Sequence, residues 1–197
     1  ASSGQVRNTS SSLTAVYSPG KTMIGWSKIG MSYDPLYWIV GLTFRKDNIE
    51  KNFPTQKERE KIKGLIGFVS QDDLLIEELT VFENLYFNAK LCFGNLQEDE
   101  IINRVDNTLK NLGLLEIREM KVGNPLNKKI SGGQRKRLNI SLELIREPAI
   151  MFLDEPTSGL SSRDSENILD LLKELARKGK LLFIVIHQPS SEIFKMF

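Results

Sequence analysis

An α/β fold on a parallel sheet is predicted by three observations. Two apolar runs, Ala149–Leu153 and Leu181–Ile186, show no alternation of polar and apolar residues, the pattern of strands buried on both faces. Between them Ile168, Leu171, Leu172 and Leu175 recur at helical spacing, which makes a strand–helix–strand unit of the doubly wound kind. Both runs also end in chemistry: Asp154 and Glu155 follow the first, and His187, the single histidine, follows the second. Open parallel sheets bind ligands outside the carboxyl ends of their strands, so these three side chains are placed at the edge where a site forms.

In chain order, residues 1–60 are the least regular. Ala1–Ser12 is rich in Ser, Gly and Asn and predicts a flexible lead or a poorly specified edge. Gly20-Lys21-Thr22 is the second half of a phosphate loop, in which glycines admit backbone N–H groups to the phosphates, Lys reaches the β/γ oxygens and the hydroxyl binds Mg²⁺. Ala15 stands where the first glycine belongs, the strand before it is poor, and Met23–Tyr37 lacks a helical stripe. Both a phosphate loop and a chance tripeptide in irregular chain stay open. Trp38–Phe44 predicts a short strand and Arg45–Lys61 a solvated connection.

From Gly64 the pattern sharpens. Leu65–Val69 predicts a strand, with Gln71 in the loop after it and Asp72–Glu78 facing a partner. Thr80 and Glu83 have capping-box spacing ahead of Phe82, Leu85, Tyr86 and Ala89. Ile101, Val105, Leu109 and Leu112 form a second stripe, stopped by Gly113. The aromatics Phe82, Tyr86, Phe87 and Phe93 are expected to pack rather than stack on bases. Ser131-Gly132-Gly133 then opens a helix over Gln134–Arg146, whose terminal N–H groups and the Ser131 hydroxyl suit an anion. Arg135, Lys136 and Arg137 reinforce that field, and at least two of the three are expected on a solvated face. Ser161 and Asp164 repeat the capping-box spacing, and Gly179 stops the helix that follows.

Asp154 is suited to holding Mg²⁺ and Glu155 to polarising water against a phosphate; an ordinary acidic turn is the plainer reading of the pair alone. His187 either contacts a γ-phosphate or attacking water, or only ends its strand.

Taken together, Ile130-Ser131-Gly132-Gly133-Gln134 resembles the signature motif of ATP-binding cassette (ABC) ATPases, Asp154-Glu155 their Walker B and Ser158-Gly159-Leu160-Ser161 their D-loop. His187 resembles their switch histidine, and Gln71 falls at their Q-loop glutamine. Asp154-Glu155-Pro156-Thr157-Ser158-Gly159-Leu160 and His187-Gln188-Pro189-Ser190-Ser191-Glu192 are similar to the White or G-type branch and its bacterial relatives. The resemblance runs from about Lys63 to the C-terminus and implies a P-loop NTPase (RecA-like) core with an inserted α-helical subdomain. It divides the chain into residues 1–60, a degenerate N-terminal part of the core; 61–73, a core strand and Q-loop; 74–146, the helical subdomain with the signature; and 147–197, the remaining core.

The resemblance further implies ATP and Mg²⁺ as ligands and ATP hydrolysis as the reaction. Glu155 would be the base, His187 and Gln71 would act with it, and Asp154, Gln71 and Thr22 would serve the metal. Gly20, Lys21, Thr22 and Ser158 would contact nucleotide, with Ser131, Gly132, Gly133 and Gln134 acting on the nucleotide of a second ATP-binding domain. A transmembrane partner would hold the chain at the cytoplasmic face of a membrane, and the family's further strands make a fragment the expectation. A non-catalytic partner domain, or an inactive fragment without a working phosphate loop, and a soluble non-transport ATPase are the competing readings.

Composition narrows these. With 27 basic and 25 acidic residues the net charge is +2, which gives no strong field for nucleic acid. Cys92 is the single cysteine, so no intramolecular disulfide forms, and no apolar run reaches bilayer-spanning length.

Overall fold

The computed structural model describes residues 12–18, 21–27, 64–124, 127–187 and 189–196, the first two segments and 127–128 as backbone only. Its main sheet takes β1 (Ser12–Ser18), β2 (Lys21–Ser27), β3 (Ile66–Val69), β6 (Ile150–Asp154) and β7 (Leu181–His187) in the order β2-β1-β7-β6-β3. β3, β6 and β7 are parallel, and the inner pair β6 and β7 are the continuous apolar strands buried on both faces, while β3 at the sheet edge is buried at alternate residues. Phe152 stands opposite Phe183, and their rings stack with centroids 4.8 Å apart.

β1 is antiparallel to both neighbours, with Ser18 opposite Lys21 and Ser12 opposite His187. The sequence pattern does not anticipate this pair, although Leu13, Thr14, Val16 and Tyr17 have strand preference, as do Ile24 and Trp26. The expected irregular stretch from Met23 therefore begins inside a strand. Of the lead expected over Ala1–Ser12, Ser12 begins β1 and the rest lies outside the described residues, as do Gly20, the strand expected over Trp38–Phe44 and the connection over Arg45–Lys61.

The helices are α1 (Val81–Cys92), α2 (Glu98–Asn111), α3 (Gly132–Leu144), α4 (Ser162–Arg177) and α5 (Ser191–Lys195), with a 3₁₀ turn over Leu115–Ile117. A short antiparallel pair, β4 (Gly123–Asn124) and β5 (Asn127–Lys128), precedes α3. Thr80 and Glu83 cap α1 reciprocally, as their spacing predicts. Ile101, Val105, Leu109 and Leu112 are all buried.

Among the described residues two apolar clusters form the core. One sets Ile168, Leu169 and Leu172 of α4 against Met151, Leu153, Leu182 and Ile184 of the sheet. The other joins Val81 and Leu85 of α1 with Val105 and Leu109 of α2. α3 enters both, through Ile140 on the sheet side and Leu138 and Leu142 on the other, where Ile145 just past its end joins them. A helix buried on two sides carries no single apolar stripe, and the α3 sequence shows none.

Candidate functional site

β6 delivers Asp154 to the carboxyl edge of the sheet, and the chain turns there. Glu155 has φ 44°, the left-handed region that a non-glycine residue adopts at a cost. Its N–H donates to the Val185 carbonyl of β7 at 2.8 Å, and its own carbonyl accepts from the Ser158 N–H at 3.1 Å. The strained turn thus ties the carboxylate pair to the strand that ends two residues later in His187. Glu155, Ser158 and His187 line one cavity of about 230 Å³, closed by Ser165, Ser190 and Ile193 among others. Asp154 is half-buried, and its carboxyl is held above the ordinary aspartate range by burial and then by the neighbouring Glu155, with Lys136 opposing.

Ser131 caps α3, and the cap is reciprocal. Its hydroxyl accepts from the Gln134 N–H at 3.1 Å, while the Gln134 side chain accepts from the Ser131 N–H at 2.8 Å. Ser131 keeps a hydroxyl proton to donate, whereas the Gln134 side-chain oxygen is already engaged. The two glycines have an internal reason to be glycine. A Cβ on Gly132 would meet Leu160 at 3.2 Å, and one on Gly133 would meet the Asp164 carboxylate at 2.6 Å. Asp164 also accepts from the Ser161 hydroxyl at 2.9 Å, so α3 and the start of α4 pack through bare backbone.

The basic run does not behave as a solvated face. The Arg135 side chain is 11% exposed and grips Asp73 with two nitrogens, at 2.6 and 3.1 Å, while a third donates to the Gly123 carbonyl. Lys136 is 7% exposed and donates to the Gln71 carbonyl at 2.9 Å. Two of the three cations are therefore committed internally, and only Arg137 departs from that pattern. The missing signal was long-range: Asp73 and Gln71 lie 62 and 65 residues before their partners.

Gln71 is exposed in the loop after β3. Lys21 and Thr22 are elsewhere. Thr22 stands opposite Tyr17, and Tyr17 opposite Leu182, five residues before His187. At the strand rise that separation is about 17 Å. Lys21 and Thr22 thus open a strand at the opposite end of the sheet from Asp154, Glu155 and His187, and they do not form a helix N-terminus. In a phosphate loop the N–H groups that hold phosphate come from a helix start, whereas here the pairing is within the sheet.

Among the described residues no group of three or more His, Cys, Asp or Glu side chains converges as a metal cage. One half-buried carboxylate at a strand end fits Mg²⁺, which is held by one or two carboxylates together with phosphates. Among the same residues no helix is long and apolar enough to cross a membrane.

Residues 36–158 match the family model described as ABC transporter. ABC transporter G family member 28 of Arabidopsis thaliana is 43% identical over 70% of this chain and 12% of its own length. ABC transporter G family member 25 of Oryza sativa subsp. japonica is 39% identical over 94% of this chain and 19% of its own. The chain therefore spans less than a fifth of these relatives. Among solved structures, cbiO1 from Clostridium perfringens, part of the ABC transporter complex cbiONQ, superposes with a TM-score of 0.55 at 27% identity, over 84% of this chain and 55% of that one.

Proposed function

The chain belongs to the ABC transporter family and has the α/β fold of its P-loop ATPases; from that premise we propose that it is the ATP-binding and ATP-hydrolysing domain of a G-type transporter. The observation that carries this reading is the shared carboxyl edge. Asp154 and His187 end adjacent parallel strands, and Glu155 is bonded to the second of them.

Asp154 and Gln71 would hold Mg²⁺, and the ion would supply charge neutralisation on the phosphates when bound. Glu155 takes the proton of a water as its oxygen bonds to the γ-phosphorus and the bond to the β-phosphate oxygen breaks, leaving ADP and phosphate. His187 holds water and γ-phosphate in line. Ser131, Gly132, Gly133 and Gln134 close over the nucleotide of a second domain, whose own helix start does the same in return. A half-site leaves the triphosphate open to water, and the second helix N-terminus supplies the missing donors. Closure and reopening of that pair would drive a transmembrane domain, which keeps this chain at the cytoplasmic face of the membrane.

A second reading is favoured by one observation, the placement of Lys21 and Thr22 at the far end of the sheet. In it the chain lends its Ser131 turn to another subunit and holds no nucleotide of its own. A thermal shift with Mg-ATP decides. Ligand at 100 times its dissociation constant adds about 2.7 kcal/mol, a rise of about 5–10 °C for a domain this size. A rise lost in Lys21→Ala assigns Lys21 to the phosphates and upholds the first reading. No rise in folded protein supports the second.

A further inference from the structure

We infer that Lys136 is a positioning residue for Gln71, and that the loop carrying Gln71 and the helix opened by Ser131 move as one body.

The inference starts from which side chains of α3 face β3 and its loop. Arg135, Lys136, Asn139 and Glu143 fall at i, i+1, i+4 and i+8, one side of a helix. Each reaches the same short stretch of chain. The Glu143 carboxylate accepts from the Phe68 N–H at 3.2 Å, Asn139 Oδ1 accepts from the Leu74 N–H at 3.3 Å, and Arg135 and Lys136 reach Asp73 and the Gln71 carbonyl. The contacts span Phe68 to Leu74 on one segment and Arg135 to Glu143 on the other, so they form a seam rather than a point.

A polar loop between a sheet and a helical cluster has few apolar contacts to fix it. Leu74 itself is 74% exposed, and Gln71 and Asp72 face solvent. What orients this loop is therefore the seam. The Lys136 ammonium fixes the peptide plane that follows Gln71 and so the direction in which the Gln71 side chain leaves the backbone. Arg135 locks Asp73 through a planar two-point contact, which a rotating loop cannot keep. Asn139 closes the far end. The ammonium is buried, and its desolvation is offset by the Gln71 carbonyl and the Asp72 and Asp73 carboxylates of this loop, with Asp154 and Glu155 adding to them. Retreat of the loop would strand a buried charge, and retreat of the helix would strand the loop.

The consequence rests on the reading above. Ser131 begins the helix that would meet a second subunit's nucleotide, and Gln71 would meet this chain's own. With both on one body, closure on one nucleotide repositions the group that serves the other.

The test is amide hydrogen exchange on the intact protein without nucleotide, for wild type, Lys136→Met, Lys136→Arg and Asp73→Asn. Exchange at the Leu74 amide is expected to rise about tenfold or more in Lys136→Met and Asp73→Asn while α1 amides stay protected, and to return toward wild type in Lys136→Arg. In ATP turnover, Lys136→Met is expected to lower kcat about tenfold with KM within about twofold, and Lys136→Arg to recover it. Unchanged exchange at Leu74 would overturn the inference. So would a uniform rise across all helices, which marks a contribution to stability alone. Should Lys136→Met not fold, Asp73→Asn carries the same exchange expectation, because it breaks the seam at its partly exposed side. Exchange is read without nucleotide, so absence of turnover in every sample would count against the ATPase reading and leave the exchange result to decide the seam.

Discussion

Gly133→Ala isolates a structural demand at the point where α3 meets α4. The new methyl would lie 2.6 Å from Asp164 Oδ1, 2.9 Å from its Cγ and 3.2 Å from its Cβ. The two contacts under 3.0 Å are the severe ones, and both are to the carboxylate group; the 3.2 Å approach to Cβ asks for a shift of only a few tenths of an ångström. Asp164 must turn away, which breaks its 2.9 Å bond with the Ser161 hydroxyl, or the two helices must separate. The lost hydrogen bond costs about 0.5–1.5 kcal/mol and the overpacking about 1–3 kcal/mol. Alanine returns up to about 1 kcal/mol of helix preference, less in a first turn. The net is a loss of about 1–3 kcal/mol, or about 2–10 °C in melting temperature. Thermal unfolding of Gly133→Ala, Asp164→Ala and the double variant measures it. The double variant should recover most of the Gly133→Ala loss, giving a coupling above about 0.5 kcal/mol. Additive effects, or a Gly133→Ala variant as stable as wild type, would refute the steric argument.

Three further predictions use the same assay. Leu172→Ala empties a fully buried site between α4 and the sheet and should cost about 2–5 kcal/mol, seen as a fall of about 5–20 °C. Asp154→Asn should be more stable than wild type at neutral pH without Mg²⁺, because burial and Glu155 raise the folded carboxyl above its ordinary 3.8. The stability contributed by the protonated carboxyl is full below 3.8 and lost as pH rises through the raised value, so the gap should close on acidification; a widening gap would reverse the sign. The same variant should need more Mg²⁺ for any ATP-induced rise in melting temperature, and an unchanged requirement would remove Asp154 from the metal's ligands.

The part of the fold most legible from sequence is the part buried on both faces. Ala149–Leu153 and Leu181–Ile186 could be paired as parallel strands because unbroken apolar runs have few other uses, and that pairing carried Asp154, Glu155 and His187 to one edge. Local chemistry was equally readable, in Thr80 with Glu83 and in the stop at Gly113, where φ is positive. Long-range polar pairing was not. Arg135 and Lys136 look like surface cations until β3 and α3 are adjacent, and no local pattern announces that Asp73 will meet them. Ser131 and Gln134 have ordinary capping-box spacing, which their likeness to ligand groups masks. The β1–β2 pair is hidden because Gly25 interrupts the second strand and Ser and Lys bound both, and register rather than composition puts Lys21 far from Asp154.

The most direct test of the account is ATP hydrolysis by the intact protein with Glu155 replaced by Gln, alongside Mg-ATP binding by thermal shift. Glutamine keeps the shape at the strained turn and removes the proton acceptor. The account predicts that turnover falls by about 10²–10⁴-fold while the ATP-induced rise in melting temperature is kept. Hydrolysis persisting near the wild-type rate would contradict it.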